Sequence, residues 1–175
     1  WEQHIDELQL VIGWYDNIPF ENWMVVHMLE NIRFYATIGI LEHEKHGLIL
    51  FDVGYHNNFF ESTRRLPFSL YGKITPVFHS EHQTASNRLR SLGYEPEQVK
   101  FIIISHFHAD HIAGVKDFPN ARFICSQEAW DSIKYRRGFS ALRRGFIPSL
   151  LPNDFESRLQ LLVFNDNEHI KVNNI

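Results

Sequence analysis

One cysteine in 175 residues leaves this chain no internal disulfide, so nothing in it calls for an oxidising compartment. No apolar run approaches the ~18 residues that a membrane span needs, and the opening residues lack the basic-then-apolar order of a secretory leader. A cytoplasmic protein with no membrane partner is therefore expected. Basic charge is also in short supply. Seventeen Lys and Arg against 21 Asp and Glu give a net charge of −4 and a pI near 6.3, which argues against a nucleic-acid binder. Two local exceptions, Arg136-Arg137 and Arg143-Arg144, face either an anionic ligand or plain solvent. Repeats, low-complexity tracts and linkers are missing as well. With 44% hydrophobic and 22% charged residues, the chain is expected to be one globular domain over 1–175, long enough to bury a core.

What the sequence does have is histidine, concentrated in one place. Ser105-His106-Phe107-His108-Ala109-Asp110-His111 puts four metal-binding groups within six residues. The run comes directly after Val99-Lys100-Phe101-Ile102-Ile103-Ile104, which reads as a β-strand buried on both faces. Such a strand is a rigid mount, and a loop leaving its C-terminal end is aimed at the crevice where open α/β sheets bind ligands. If the loop stays extended, His106, His108 and Asp110 alternate onto one side. His111 then comes from the next turn, and Asp110-His111 can face a second ion. Imidazole and carboxylate donors without a thiolate suit Zn²⁺, Mn²⁺ or Fe. Open coordination positions on such an ion suit hydrolysis.

These residues carry a resemblance. Ser105 to Gly114 resembles the His-x-His-x-Asp-His signature of the metallo-β-lactamase superfamily. Gly47-Leu48-Ile49-Leu50-Phe51-Asp52-Val53-Gly54 resembles the strand that this family ends with Asp-Thr-Gly. Residues 89–100 resemble the helix and turn before the signature, and residues 117–122 resemble the family's stretch just after it. The flanks are most similar to the N-acyl homoserine lactonase-like hydrolases, and the resemblance covers about residues 33–164. It implies an α/β fold, the αββα sandwich of that superfamily, of which this chain supplies mainly the N-terminal half. It also implies metal ligands at His106, His108, Asp110 and His111, with Asp110 catalytic and Asp52 orienting the ligand loop from behind. The cofactors implied are two divalent metal ions in the complete protein, zinc by family habit.

The activity implied is that of a metal-dependent hydrolase, in which a metal-bound hydroxide attacks the carbonyl of a small-molecule ester or lactone. Alternatives of the same fold are a glyoxalase II-like thioesterase and a phosphodiesterase or nuclease. A further alternative is a catalytically silent metal-binding or interaction domain. Downstream of His111 only one histidine remains, His169, and its surroundings do not resemble the family's later ligands. The chain also opens at Trp1 rather than at Met. The expectation is thus a fragment, inactive alone and weakly metallated, whose sheet edge self-associates or pairs with the missing half.

Outside the signature, Leu8, Leu10 and Ile12 alternate as a strand, and His4 and His27 read as structural. Strands are expected at 33–41 and 48–52 around a charged turn that holds His43 and His46. Residues 55–80, rich in Phe and Tyr, form either an apolar substrate wall or a self-packed surface loop; His56 and His79 within them could approach the metals in space, but nothing in the sequence shows it. A helix is expected over 81–92 with Ala85, Leu89 and Leu92 on its inner face and His82 toward solvent. The strand after it should then pair parallel to the one before it. Ala121–Cys125 reads as a strand, with Ser126 capping the next helix. Cys125 at that junction is either an activated thiol or, more in keeping with free cysteine, a buried one. Another helix is expected around 141–146, a strand at 159–164, and a last strand at 169–172.

Overall fold

The computed structural model describes residues 35–164. The expected strands at 8–12 and 169–172, and His4, His27 and His169, lie outside the described residues.

Among the described residues five strands form one mixed sheet in chain order: β1 (Gly39–His43), β2 (Gly47–Phe51), β3 (Val99–Ile103), β4 (Arg122–Ser126) and β5 (Leu159–Leu162). The β1–β2 pair is an antiparallel hairpin, and every later neighbour is parallel. A parallel step needs a crossover, and the helical segments supply it. Between β2 and β3 lie α1 (Asn57–Ser62), α2 (Ser69–Ile74) and α3 (Ala85–Ser91). Between β3 and β4 lies α4 (Ala109–Ile112), and between β4 and β5 lie α5 (Gln127–Ile133) and α6 (Gly138–Leu142).

The alternation of buried and exposed residues in β2, with Leu48 and Leu50 inside, reflects the two-residue period of a strand. Strand β4 is more deeply covered, with Phe123, Ile124 and Cys125 all buried. Strand β3 departs from expectation. Val99 and Ile102 are buried, but Lys100 is exposed and Phe101 and Ile103 are half-buried. An apolar run alone does not say how much mass the fold places over each residue of the strand.

The 81–92 segment is two elements rather than one helix. A 3₁₀ turn at Glu81–Gln83 ends at Thr84, whose hydroxyl accepts from Asn87 N and starts α3 afresh. Ala85 and Leu89 are inside as expected, whereas Leu92 falls on the C-cap and is 60% exposed. Ser126 caps α5 by accepting from Ala129 N, with Trp130 and Ile133 buried. The helix expected near 141–146 is shifted to Gly138–Leu142, because the backbone turns left-handed at Gly145, φ +63°. The hairpin turn is closed by His43, whose Nδ1 accepts from Lys45 N and His46 N at 3.1 and 3.2 Å. That is a structural role for this histidine. Cys125 is buried, and burial pushes its thiol up to about 12, which leaves no activated thiolate at neutral pH.

Candidate metal centre

The site begins where β3 ends. Phe107 is buried and packs among Trp130, Phe146 and Phe155, with ring centroids 5.6 to 6.1 Å apart. With Phe107 pinned in the core, its neighbours on either side are turned the other way. His106 and His108 accordingly lie side by side, ring centroids 4.6 Å apart. The extended geometry stops there. His108 is the N-cap of α4, and Asp110 belongs to the first turn of that helix rather than to an extended loop. The cause is the apolar spacing Ala109, Ile112 and Ala113, all fully buried, which is a helical stripe and not a strand pattern. Asp110 and His111 are left on the outer side of α4, and the His111 ring comes to 3.9 Å from that of His106.

Behind this group stands Asp52. It is 2% exposed and sits at φ +55° immediately after β2, a backbone conformation that Asp tolerates better than most residues. Its carboxylate accepts from Ser105 N (2.9 Å), Ser105 Oγ (2.7 Å) and His111 Nδ1 (2.7 Å). Asp52 N donates to the Ile103 carbonyl and Val53 N to the His111 carbonyl, both at 2.9 Å. The end of β2 is thus stitched to both ends of the histidine loop.

These contacts assign protons. Ser105 Oγ spends its hydrogen on Asp52 Oδ2, so at 3.0 Å from His106 Nδ1 it acts as an acceptor. His106 therefore carries its proton on Nδ1, and Nε2 keeps a free lone pair. Burial, with the neighbouring His111 and His108, lowers His106 to about 4, so the ring is neutral. His108 is open to solvent on one side yet surrounded by protein mass. That surround is the main reason it is lowered, against the opposing pull of Asp110. His111 behaves in the opposite way. Burial works against its charge, but Asp110 and Asp52 hydrogen-bond to it and raise it to about 9. Burial likewise opposes ionisation of Asp110, but His111 holds it below the usual carboxylate range. His111 is an imidazolium gripped by two carboxylates, with Asp110 Oδ2 3.2 Å from Nε2 and Asp52 Oδ2 2.7 Å from Nδ1.

That grip bears on metal binding. Among the described residues no three His, Cys, Asp or Glu side chains stand in a ready-made coordination set, since Asp110 and His111 face each other. The donor chemistry nevertheless fits a divalent cation. Two neutral imidazoles and a carboxylate converge, and the proton shared by His111 Nε2 and Asp110 is what a cation would replace.

The other histidines lie elsewhere. His56 caps α1, accepting from Asn58 N at 3.1 Å, and its Nε2 is 3.4 Å from Asp117 Oδ2. His79 lies over Phe60, 6.4 Å between centroids, and burial lowers it. His82 is exposed. The aromatic segment folds as α1 and α2 on a self-packed cluster of Tyr55, Phe59, Phe60 and Tyr71, with centroids 5.1 to 5.8 Å apart. It also borders a groove of about 430 Å³ between Phe59, Phe60, Arg64 and Phe78. Tyr71 feels the centre: burial first, then the Asp110 charge, raises its phenol above the usual range. Arg136, Arg137, Arg143 and Arg144 are exposed. Two residues at the centre have no part that residue type and spacing would assign. Ser105 is legible in sequence only as the hydroxyl before the first histidine. Gly145, 34 residues past His111 in numbering, gives no signal.

A sequence model of the metallo-beta-lactamase superfamily matches residues 32–165. The chain belongs to the metallo-beta-lactamase superfamily. Within that superfamily it is 32% identical over 117 residues to an N-acyl homoserine lactonase of Bacillus cereus, covering 63% of this chain and 43% of that protein. It is 30% identical over 102 residues to a probable metallo-hydrolase of Mycobacterium tuberculosis, 53% of this chain and 32% of the other. The chain thus spans less than half the length of these curated relatives. Among solved structures, one of the AiiA protein of Bacillus thuringiensis with N-decanoyl-L-homoserine bound at its active site aligns at TM-score 0.52 and 20% identity, over 77% of this chain and 49% of that one. A probable metal-dependent hydrolase of Staphylococcus aureus aligns at TM-score 0.54 and 18% identity, over 73% and 44%. These two likenesses establish the metallo-beta-lactamase fold.

Proposed function

We propose that this chain carries the metal-binding half of a hydrolase centre that opens small carboxylic esters, with lactones as the favoured class. The observation that carries the reading is the convergence of His106, His108, Asp110 and His111 in front of a buried Asp52 that grips both Ser105 and His111. His106 through Nε2, His108, Asp110 and His111 would hold divalent cations, zinc being the best match to the donor set. When bound, such an ion acidifies water toward neutral pH and polarises a carbonyl oxygen.

The protein's own residues do the rest. Asp110 stays ionised and can accept a hydrogen bond from the attacking water. Asp52 keeps the imidazole of His111 in a single orientation through Nδ1, as carboxylates behind metal-binding histidines do. Tyr71, between the aromatic cluster and Asp110, and the α1–α2 segment form an apolar wall beside the centre, suited to the hydrocarbon part of an ester. The lactone preference is supported by similarity to proteins named N-acyl homoserine lactonases, which is an argument from kinship rather than from this site.

The test is a substrate panel with the zinc-supplemented whole protein in which this chain would be the metal-binding half: acyl homoserine lactones, a thioester and bis-(nitrophenyl) phosphate. Lactone opening should exceed phosphodiester cleavage and should stop on chelation. Phosphodiester turnover without lactone opening would favour the nuclease reading. Turnover indifferent to chelators would remove the metal centre from the reaction.

A further inference from the structure

The loop after α6 meets the centre at one point. A Cβ built on Gly145 would lie 2.7 Å from His108 Cδ2, 2.9 Å from Nε2 and 3.4 Å from Cγ. Real Cβ atoms do not approach other heavy atoms so closely, so the hydrogen of glycine is what allows the imidazole to lie there. The backbone turns at φ +63° at the same residue. The flank of the ring closest to Gly145 carries Nε2, and Nδ1 is the nitrogen farther from the loop.

We infer that the turn at Gly145 is a positioning element for His108: it fixes the imidazole by close approach along the Cδ2–Nε2 flank, leaving Nδ1 for the ion. The inference rests on the reading of His108 as a metal ligand. It adds that a residue far from the signature sets the geometry of one of its histidines. Phe146 and Ile147 beyond Gly145 are buried and hold the turn against the core, so the loop cannot simply retreat from a methyl group.

The experiment compares Gly145→Ala with Gly138→Ala. Gly138 also has positive φ, +52°, but its Cβ would meet nothing within 4 Å, so it reproduces the backbone penalty without touching His108. Zinc affinity, measured by chelator competition, should fall ~10 to 100-fold in Gly145→Ala, the usual range for losing support behind a ligand, and stay within ~3-fold in Gly138→Ala. In a His108→Ala background Gly145→Ala should have no further effect on affinity. Ring ¹H–¹⁵N spectra of the metal-free proteins give a second readout: the His108 signals should move in Gly145→Ala and not in Gly138→Ala. In the unaltered protein an NOE should link Gly145 Hα to His108 Hδ2, which decides the contact even if Gly145→Ala does not fold. Equal zinc affinity and unmoved His108 signals in Gly145→Ala would overturn the inference, as would the absence of that NOE. Failure of the unaltered protein to bind zinc, with the NOE and ring shifts present, would instead count against His108 as a ligand.

Discussion

Asp52→Ala is expected to be the most damaging single change in the described fold. The carboxylate is 2% exposed and takes three donors, Ser105 N, Ser105 Oγ and His111 Nδ1. Alanine leaves all three facing a cavity, and removing one partner of a buried charged pair typically costs about 3–5 kcal/mol. The backbone adds to this, because φ +55° is less tolerable for alanine than for aspartate. Chemical denaturation of the metal-free protein should show a loss on that scale, and zinc affinity should fall ~10 to 100-fold. Asp52→Asn should recover part of the stability, since its amide oxygen still accepts from Ser105. Unchanged stability and zinc affinity in Asp52→Ala would mean that the carboxylate does not organise the loop.

The second large effect is a pH dependence confined to the metal-free state. His111 is raised from the ordinary 6.5 to about 9 by Asp110 and Asp52, although burial works against it. A group whose folded pKa lies above its unfolded value stabilises the fold fully below the unfolded pKa, and loses that contribution as pH rises through the folded one. Stability of the metal-free protein should therefore decline between about pH 6.5 and 9. The decline should be on the order of 3 kcal/mol at ~1.36 kcal/mol per pH unit. Asp110 reports the same interaction from the acid side. Its lowered pKa adds stability above its unfolded value that is lost as pH falls through the folded one, and the two contributions are one pair counted once. Zinc, by displacing the His111 Nε2 proton, should bind more tightly as pH rises toward 9, and the zinc-loaded protein should lack the alkaline decline. Urea titrations at pH 6.5, 7.5 and 9 with and without zinc measure this, and a flat metal-free profile would contradict it.

The features legible in the sequence share a physical origin. The order of strands comes from short apolar runs separated by turn residues, and parallel pairing comes from the long connections between them. The clustering of side chains at 106–111 follows from their spacing, and the hydrogen bonds Asp52 makes to that loop follow from the need of a charge at the end of an apolar strand for a partner. Local geometry is less legible. The strand direction predicts an extended loop through Asp110, but burial of Ala109 and Ile112 on a helical stripe outweighs it. Thr84 is hidden inside an apparent helix because capping depends on one hydroxyl reaching one N–H. Lys100 and the half-buried Phe101 and Ile103 show that the covering of a strand depends on the mass packed over it. Gly145 cannot be found at all, because its meaning is a contact with His108 made only in the folded chain.

The central claim is that His106, His108, Asp110 and His111 together hold the metal centre, oriented by Asp52. Cobalt titration of the full chain tests it directly, because the visible absorption of Co²⁺ reports both binding and ligand geometry. The unaltered protein should develop an intense, low-coordinate d–d band that zinc removes by competition. His106→Ala, His108→Ala, Asp110→Ala and His111→Ala should each weaken or abolish that band, while His56→Ala and His79→Ala leave it unchanged. A band that survives the first four substitutions, or one that depends on His56 or His79, would place the cation elsewhere and contradict the claim.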